Sequence, residues 1–365
     1  MGRLQDLHSE QGQSPWLDNL KRSLLVDGGM QRWIDRGIRG VTSNPSIFQK
    51  AIESSDDYTA QLADLVRAGA SIEDAYWSMV TDDVTAALEL FRPLYDASDG
   101  GDGYVSVEVA PSLARDTDAT VEMTRELWRR IDRPNLFVKI PATAEGVPAI
   151  RQAVSEGINV NVTLIFGLDR YASVIEAFID GIDAASDAGL DVGRIASVAS
   201  FFISRVDTEV DRRLESVGTE QALALRGQAA VAQGQLAGQM ARDAFAGPRW
   251  EALAARGARV QRPLWASTST KNPAYPDTLY VDRLIGPDTV NTIPEATLDA
   301  FEDHGTLART LDDDVEGARA TWAAVGELVD LDDVSKVLEV EGVAAFEKSF
   351  DELLGVLTTR AGDLA

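Results

Sequence analysis

The sequence predicts an α/β protein, a (β/α)8 or TIM barrel with extra helical insertions and a helical C-terminal tail. Three observations carry that expectation. Eight short apolar or alternating stretches are separated by segments long enough for helical crossovers. Several of these stretches pair an aliphatic face with a polar one whose residues gather in the later half of the strand. The chain, at 365 residues and 45% hydrophobic, is large enough to bury such a core. A barrel ordinarily needs about 250 residues, so roughly a hundred belong to insertions, placed about 45–100 and 206–258. No Gly/Ser/Pro-rich linker divides the chain, and residues 1–365 read as a single barrel domain.

In chain order, Ser14 to Leu20 is the first strand, followed by a helical stretch bearing Leu24, Leu25, Met30 and Trp33. The second strand is Ile38 to Asn44, halted by Pro45. Val84, Ala87, Leu88 and Phe91 then follow helical spacing, with Thr81 as the expected N-cap and Asp82 and Asp83 in the first turn. Tyr104 to Ala110 alternates cleanly behind the Gly100-Gly101-Asp102-Gly103 turn, and a helix over about 117–131 leads to the fourth strand, Leu136 to Pro141. A helix over about 145–156 precedes Ile158 to Leu164, and Leu168, Tyr171, Ile175, Phe178 and Ile182 trace the face of the next helix. Ile195 to Phe202 is the sixth strand. After it come an alanine- and glutamine-rich helical region reaching about Gly257, a weaker seventh strand over Arg262 to Ser267, and an eighth over Thr289 to Ile293. Amphipathic helix fills the remainder.

Composition narrows the chemistry. The chain has no cysteine, which removes disulfides and thiolate chemistry, and its two histidines, His8 and His304, are far apart. No run approaches the roughly 18 apolar residues of a membrane span, and the polar first residues lack a signal-peptide core. The cytoplasm is the expected compartment. A net charge of −25, from 34 basic and 59 acidic residues, repels nucleic acid and anionic membranes. Lysine and carboxylates remain as the reactive groups, and a phosphorylated substrate would require a local island of positive charge.

Within Leu136-Phe137-Val138-Lys139-Ile140-Pro141 a lysine interrupts a run suited to a strand covered on both faces. Desolvation lowers a lysine's pKa and leaves the amine nucleophilic near pH 7. The bland alternatives are a snorkelling or an ion-paired lysine. Strand parity weighs against them. Val105, Val107 and Val109 oppose Ser106 and Glu108; Val138 and Ile140 oppose Lys139; Val160, Val162 and Leu164 oppose Asn161 and Thr163. With Asp18, Thr42, Asn44 and Ser200, these polar residues make a ring at the C-terminal mouth, where barrel enzymes keep their sites. An unpaired buried polar group costs about 1–3 kcal/mol, so a purely structural barrel would carry aliphatics there. A buried lysine among carboxylates suits imine formation with a carbonyl substrate and retro-aldol cleavage of a neighbouring bond, with Asp18 and Glu108 as the available bases.

Five segments, Gly40 to Ser46, Val107 to Val109, Phe137 to Thr143, Asn159 to Phe166 and Ala199 to Arg205, together resemble the transaldolase family in order and spacing across about 14–295. The resemblance implies a class I, Schiff-base-forming enzyme of the non-oxidative pentose phosphate pathway, a transferase that needs no cofactor and has sugar phosphates as partners. Lys139 would form the imine with sedoheptulose 7-phosphate or fructose 6-phosphate. Asp18 would take the C4 hydroxyl proton, and Glu108 and Thr163 would relay protons through a water. Thr42, Asn44, Asn161 and Ser200 would orient the dihydroxyacetone unit, Phe202 would shape the pocket, and Arg205 would hold the phosphate. Around the seventh strand the pattern departs from shorter members, and Lys271 with Ser267 are the candidates for a second phosphate contact, in the loop where barrels often hold phosphate. Rival readings are a fructose-6-phosphate aldolase of the same superfamily, a pyridoxal-phosphate barrel enzyme, and a sugar-phosphate-binding barrel without catalysis.

Overall fold

A computed structural model describes residues 2–364. Eight parallel strands close in sequence order: β1 Gln13–Leu17, β2 Gly40–Val41, β3 Tyr104–Glu108, β4 Leu136–Pro141, β5 Val160–Ile165, β6 Ser197–Phe202, β7 Arg262–Ala266 and β8 Thr289–Ile293. Closure runs along the whole of β1, from Gln13 opposite Thr289 to Leu17 opposite Ile293. The expected (β/α)8 barrel is thus the observed fold. Its outward strand residues, Val105, Val138, Ile140, Val160 and Val162 among them, are completely buried beneath the helices. Each such side chain contributes about 1.5–3 kcal/mol by leaving water.

The barrel interior is layered. Its floor is aromatic: Trp16 stacks on Phe137 at 6.0 Å, and Phe137 on Tyr104 at 4.3 Å. Gly40 is required beside this floor, because a Cβ there would lie 2.5 Å from the Trp16 indole. Below the aromatics, Ser14 and the Trp16 Nε1 both donate to the buried Asp102, which also pairs with Arg39 at 2.7 Å. This network plugs the N-terminal end and leaves the opposite end for polar chemistry.

Between β2 and β3 lie the helices Pro45–Glu53, Thr59–Arg67 and Ile72–Ala97, and between β6 and β7 the helices Ser204–Val217, Glu220–Ala224, Ala229–Ala244 and Pro248–Ala254. After β8 come Glu295–His304, Val315–Gly326 and the long helix Leu331–Leu364, which returns over the mouth. There Ser335 donates to the Phe166 carbonyl, and Phe350 meets Tyr76 edge-on at 5.2 Å. Among the described residues no helix is long and apolar enough to cross a membrane.

Three local expectations are corrected. Thr81 is not an N-cap: the helix begins at Ile72 behind Ser71, which accepts the Asp74 N–H, and Thr81 donates back to the Trp77 carbonyl inside the helix. Tertiary contact explains the misreading, since Asp83 is held by Arg22 and Tyr58 rather than facing solvent in a first turn. The second strand shrinks to two residues because Asn44 leaves it to cap the helix starting at Pro45, accepting the Ile47 N–H at 3.0 Å. In β5 the simple alternation ends at Leu164, which takes a left-handed backbone, φ +60°, where the pairing with β6 shifts register.

The insertion after β6 contains a titrating group with a definite sign. Asp207 is buried, accepts the Ala230 N–H at 2.7 Å and the Tyr280 hydroxyl at 2.9 Å, and faces Asp211. Burial pushes its carboxyl from 3.8 up to about 6, with Asp211 adding to the rise. The folded chain therefore holds a proton here that the unfolded chain has released, and this group's contribution to stability is lost as pH rises through about 6. Asp207→Asn should flatten the slope of stability against pH between about 4 and 6, measured by denaturant unfolding; an unchanged slope would refute the assignment.

Candidate active site

The mouth is assembled from register. Cα partners across the sheet are Glu108 with Lys139 and Lys139 with Asn161, so three polar side chains from β3, β4 and β5 stand abreast on the interior face. Lys139 is held there because its neighbours Val138 and Ile140 are locked outward in the core. Its Nζ lies 3.0 Å from Glu108 Oε2 and donates to the Ser43 carbonyl at 3.1 Å. The Lys139–Glu108 contact is a close ion pair rather than an aligned hydrogen bond, and both side chains are about 5% exposed.

Asp18 stands just past the end of β1, its N–H bonded to the Ile293 carbonyl of β8. Thr42 donates its single hydroxyl proton to Asp18 Oδ1 at 2.8 Å, which makes Thr292, 2.6 Å away, the donor to Thr42. Burial raises the Asp18 pKa, opposed by the Thr42 bond and by the charges of Lys139, Arg205 and Lys271. Burial likewise raises Glu108, opposed by Lys139 and then Arg205. A carboxylate of raised proton affinity 3.0 Å from an amine is placed to accept the amine's proton, and a second one, held separately, can serve a different step.

On the β5 side, Ser200 donates to Asn161 Oδ1 at 2.7 Å and Asn161 donates to Ser106 Oγ at 3.0 Å, fixing the amide's orientation. The Thr163 hydroxyl is fully buried and has no hydrogen-bond partner among the described residues. Such an orphan costs stability unless something at the site completes it. Asn44 spends its Oδ1 on the helix cap, and that bond leaves its amide N–H2 uncommitted.

The remaining candidates form the basic end. Arg205, in the first turn of the helix after β6, sits 5.0 Å from the Phe202 ring centroid, and Phe202 packs on Phe166 at 5.1 Å. Burial lowers the Arg205 pKa; Asp18, Glu108 and Glu341 act against this through space without a hydrogen bond. Lys271 is on the loop after β7 and donates to Ser269 at 2.6 Å. Desolvation and the neighbouring charge of Arg205 lower its pKa, while Asp18 raises it. Ser267, φ +57°, is joined to Ser204 at 2.9 Å, next to Arg205. Arg205 and Lys271 both act on Asp18 through space, so the two cations bear on the same carboxylate in a chain of net charge −25.

Sequence reasoning missed three neighbours. Thr292 was within reach, since alternation in the eighth strand sets it opposite Asn291. Tyr76, which with Phe350 walls the space beside Glu108, and Glu341, which bears on Arg205, come from distant helices and leave no local signal.

An eight-stranded parallel barrel with a buried lysine–carboxylate pair at its C-terminal mouth, and with two further cations acting on a second carboxylate there, has the architecture of a barrel enzyme. The family described as transaldolase/fructose-6-phosphate aldolase matches residues 15–357. Proteins named transaldolase from Acidothermus cellulolyticus (53% identical, 96% of this chain and 95% of theirs), Frankia alni (52%, 97% and 96%) and Thermobifida fusca (52%, 95% and 95%) are among its relatives. The chain belongs to the transaldolase/fructose-6-phosphate aldolase family and is an enzyme of the transaldolase type.

Proposed function

We propose that the protein moves a three-carbon dihydroxyacetone unit from sedoheptulose 7-phosphate or fructose 6-phosphate to glyceraldehyde 3-phosphate or erythrose 4-phosphate, in the non-oxidative pentose phosphate pathway of the cytoplasm. The observation that carries this reading is the buried Lys139 amine 3.0 Å from Glu108, with Asp18 held separately by Thr42. Lys139 gives up a proton and attacks the C2 carbonyl. Glu108 and Thr163, through a water, return protons to the departing oxygen, and water leaves as the imine forms. Asp18 takes the C4 hydroxyl proton; the C3–C4 electron pair moves into the imine, and the aldose phosphate departs. The retained enamine then adds to the acceptor's aldehyde, Asp18 returns its proton to the new C4 hydroxyl, and water hydrolyses the new imine. Thr42, Asn44, Asn161 and Ser200 orient the retained unit, Phe202 shapes its pocket, and Arg205 with Lys271 and Ser267 receive the phosphate. No step draws on a cofactor.

The family also contains aldolases, which would release the three-carbon unit to water. The relatives' names favour transfer. With fructose 6-phosphate, sedoheptulose 7-phosphate should form only when erythrose 4-phosphate is supplied, as read by a single-turnover product assay. Rapid free dihydroxyacetone without an acceptor would instead assign the aldolase activity.

A further inference from the structure

Beyond Arg205, the helical insertion between β6 and β7 has no part in the reaction proposed above, yet its hydrogen bonds lead to the loop that carries Lys271. Two carboxylates on the helix Ser204–Val217, Asp207 and Asp211, stand one turn apart and so share a face. Each makes the same pair of bonds. Asp211 accepts the Gly227 N–H at 2.9 Å and the Tyr275 hydroxyl at 2.7 Å; Asp207 accepts the Ala230 N–H at 2.7 Å and the Tyr280 hydroxyl at 2.9 Å. The N–H donors belong to the turn that opens the helix Ala229–Ala244, and the tyrosines lie beyond β7. Gly227 has φ +71°, and a Cβ on it would lie 2.8 Å from the Tyr275 ring, so the aromatic plane rests directly on this turn.

The loop is tethered on both sides of Lys271. Before it, Thr268 donates to Asn291 at 2.9 Å; after it, Tyr275 reaches Asp211. Between these anchors the bonds are local, Ala274 N–H to Asn272 Oδ1 and Thr270 to the Pro276 carbonyl. They shape the arch without attaching it to the barrel. Arg205 is in the first turn of the helix that bears Asp211, so one helix presents the first cation and, through Tyr275, restrains the loop presenting the second.

We propose that the insertion is a brace for phosphate binding, in which Asp211, Gly227 and Tyr275 hold the Lys271 loop at working distance from Arg205. Tyr275 and Asp211 are then positioning residues that set affinity for phosphorylated substrates without touching them. This rests on the phosphate role given to Lys271 above.

Tyr275→Phe keeps the ring on Gly227 and removes only the hydroxyl. It should raise KM for fructose 6-phosphate roughly fivefold, the size expected for one lost hydrogen bond, more than it lowers kcat, while KM for unphosphorylated fructose stays as in the parent. In a Lys271→Ala background the same change should add nothing to KM for fructose 6-phosphate. Equal effects on the two donors, or an undiminished effect in the Lys271→Ala background, would overturn the brace. Failure of the phosphate reading has a different signature: Lys271→Ala alone would leave KM for fructose 6-phosphate at the parent value, and the brace would fall with it.

Discussion

Borohydride added to the protein with fructose 6-phosphate should leave a stable three-carbon adduct on Lys139, and Lys139→Met should abolish both the adduct and turnover, by roughly ten-thousand-fold or more. The expectation follows from placement. Among the described residues Lys139 is the one strand lysine, in register between Glu108 and Asn161, nearly sealed from water and 3.0 Å from a carboxylate whose proton affinity burial has raised. Methionine fills a similar volume, so a loss of activity would reflect chemistry rather than a cavity. Mass mapping of the reduced protein decides the matter: an adduct on another lysine, or none in an active preparation, would remove Lys139 from its role.

Asp18→Ala should stop carbon–carbon cleavage while leaving imine formation in place. A general base of this kind is worth about 10²- to 10⁴-fold, and Asp18 is positioned for it by bonds that do not involve Lys139: Thr42 on its side chain and the Ile293 carbonyl on its N–H. Trapping distinguishes the two steps. In the parent the adduct should carry three carbons; in the variant it should carry the whole six-carbon ketose phosphate, because the C3–C4 bond no longer breaks. A three-carbon adduct formed at the parental rate would exclude Asp18 as the base.

These two residues illustrate how much was legible in the chain. The alternation of Val105, Val107 and Val109 with Ser106 and Glu108 was enough to assign faces, because strand side chains alternate with period two irrespective of their partners. The same logic brought out Lys139 and Asn161, and the observed register sets them side by side. Where local signals compete with tertiary ones the reading failed. Thr81 with Asp82 and Asp83 looks like a helix start, yet Asp83 is bound by Arg22 and Tyr58 from other elements. Leu164 looks like one more outward aliphatic, yet its left-handed backbone breaks the alternation just after Thr163.

By itself, then, the sequence determined the barrel, the inward identity of Lys139, Glu108 and Asn161, and the strongly acidic balance of a chain of net charge −25. Those properties depend on periodicity, composition and the order of elements, all of which are local or additive. Tertiary structure alone decided the 3.0 Å approach of Lys139 to Glu108, the Thr42–Thr292 arrangement under Asp18, and the influence of the Arg205 charge on Lys271. Each joins residues from different strands or loops, and closing the barrel is what brings them within reach of one another.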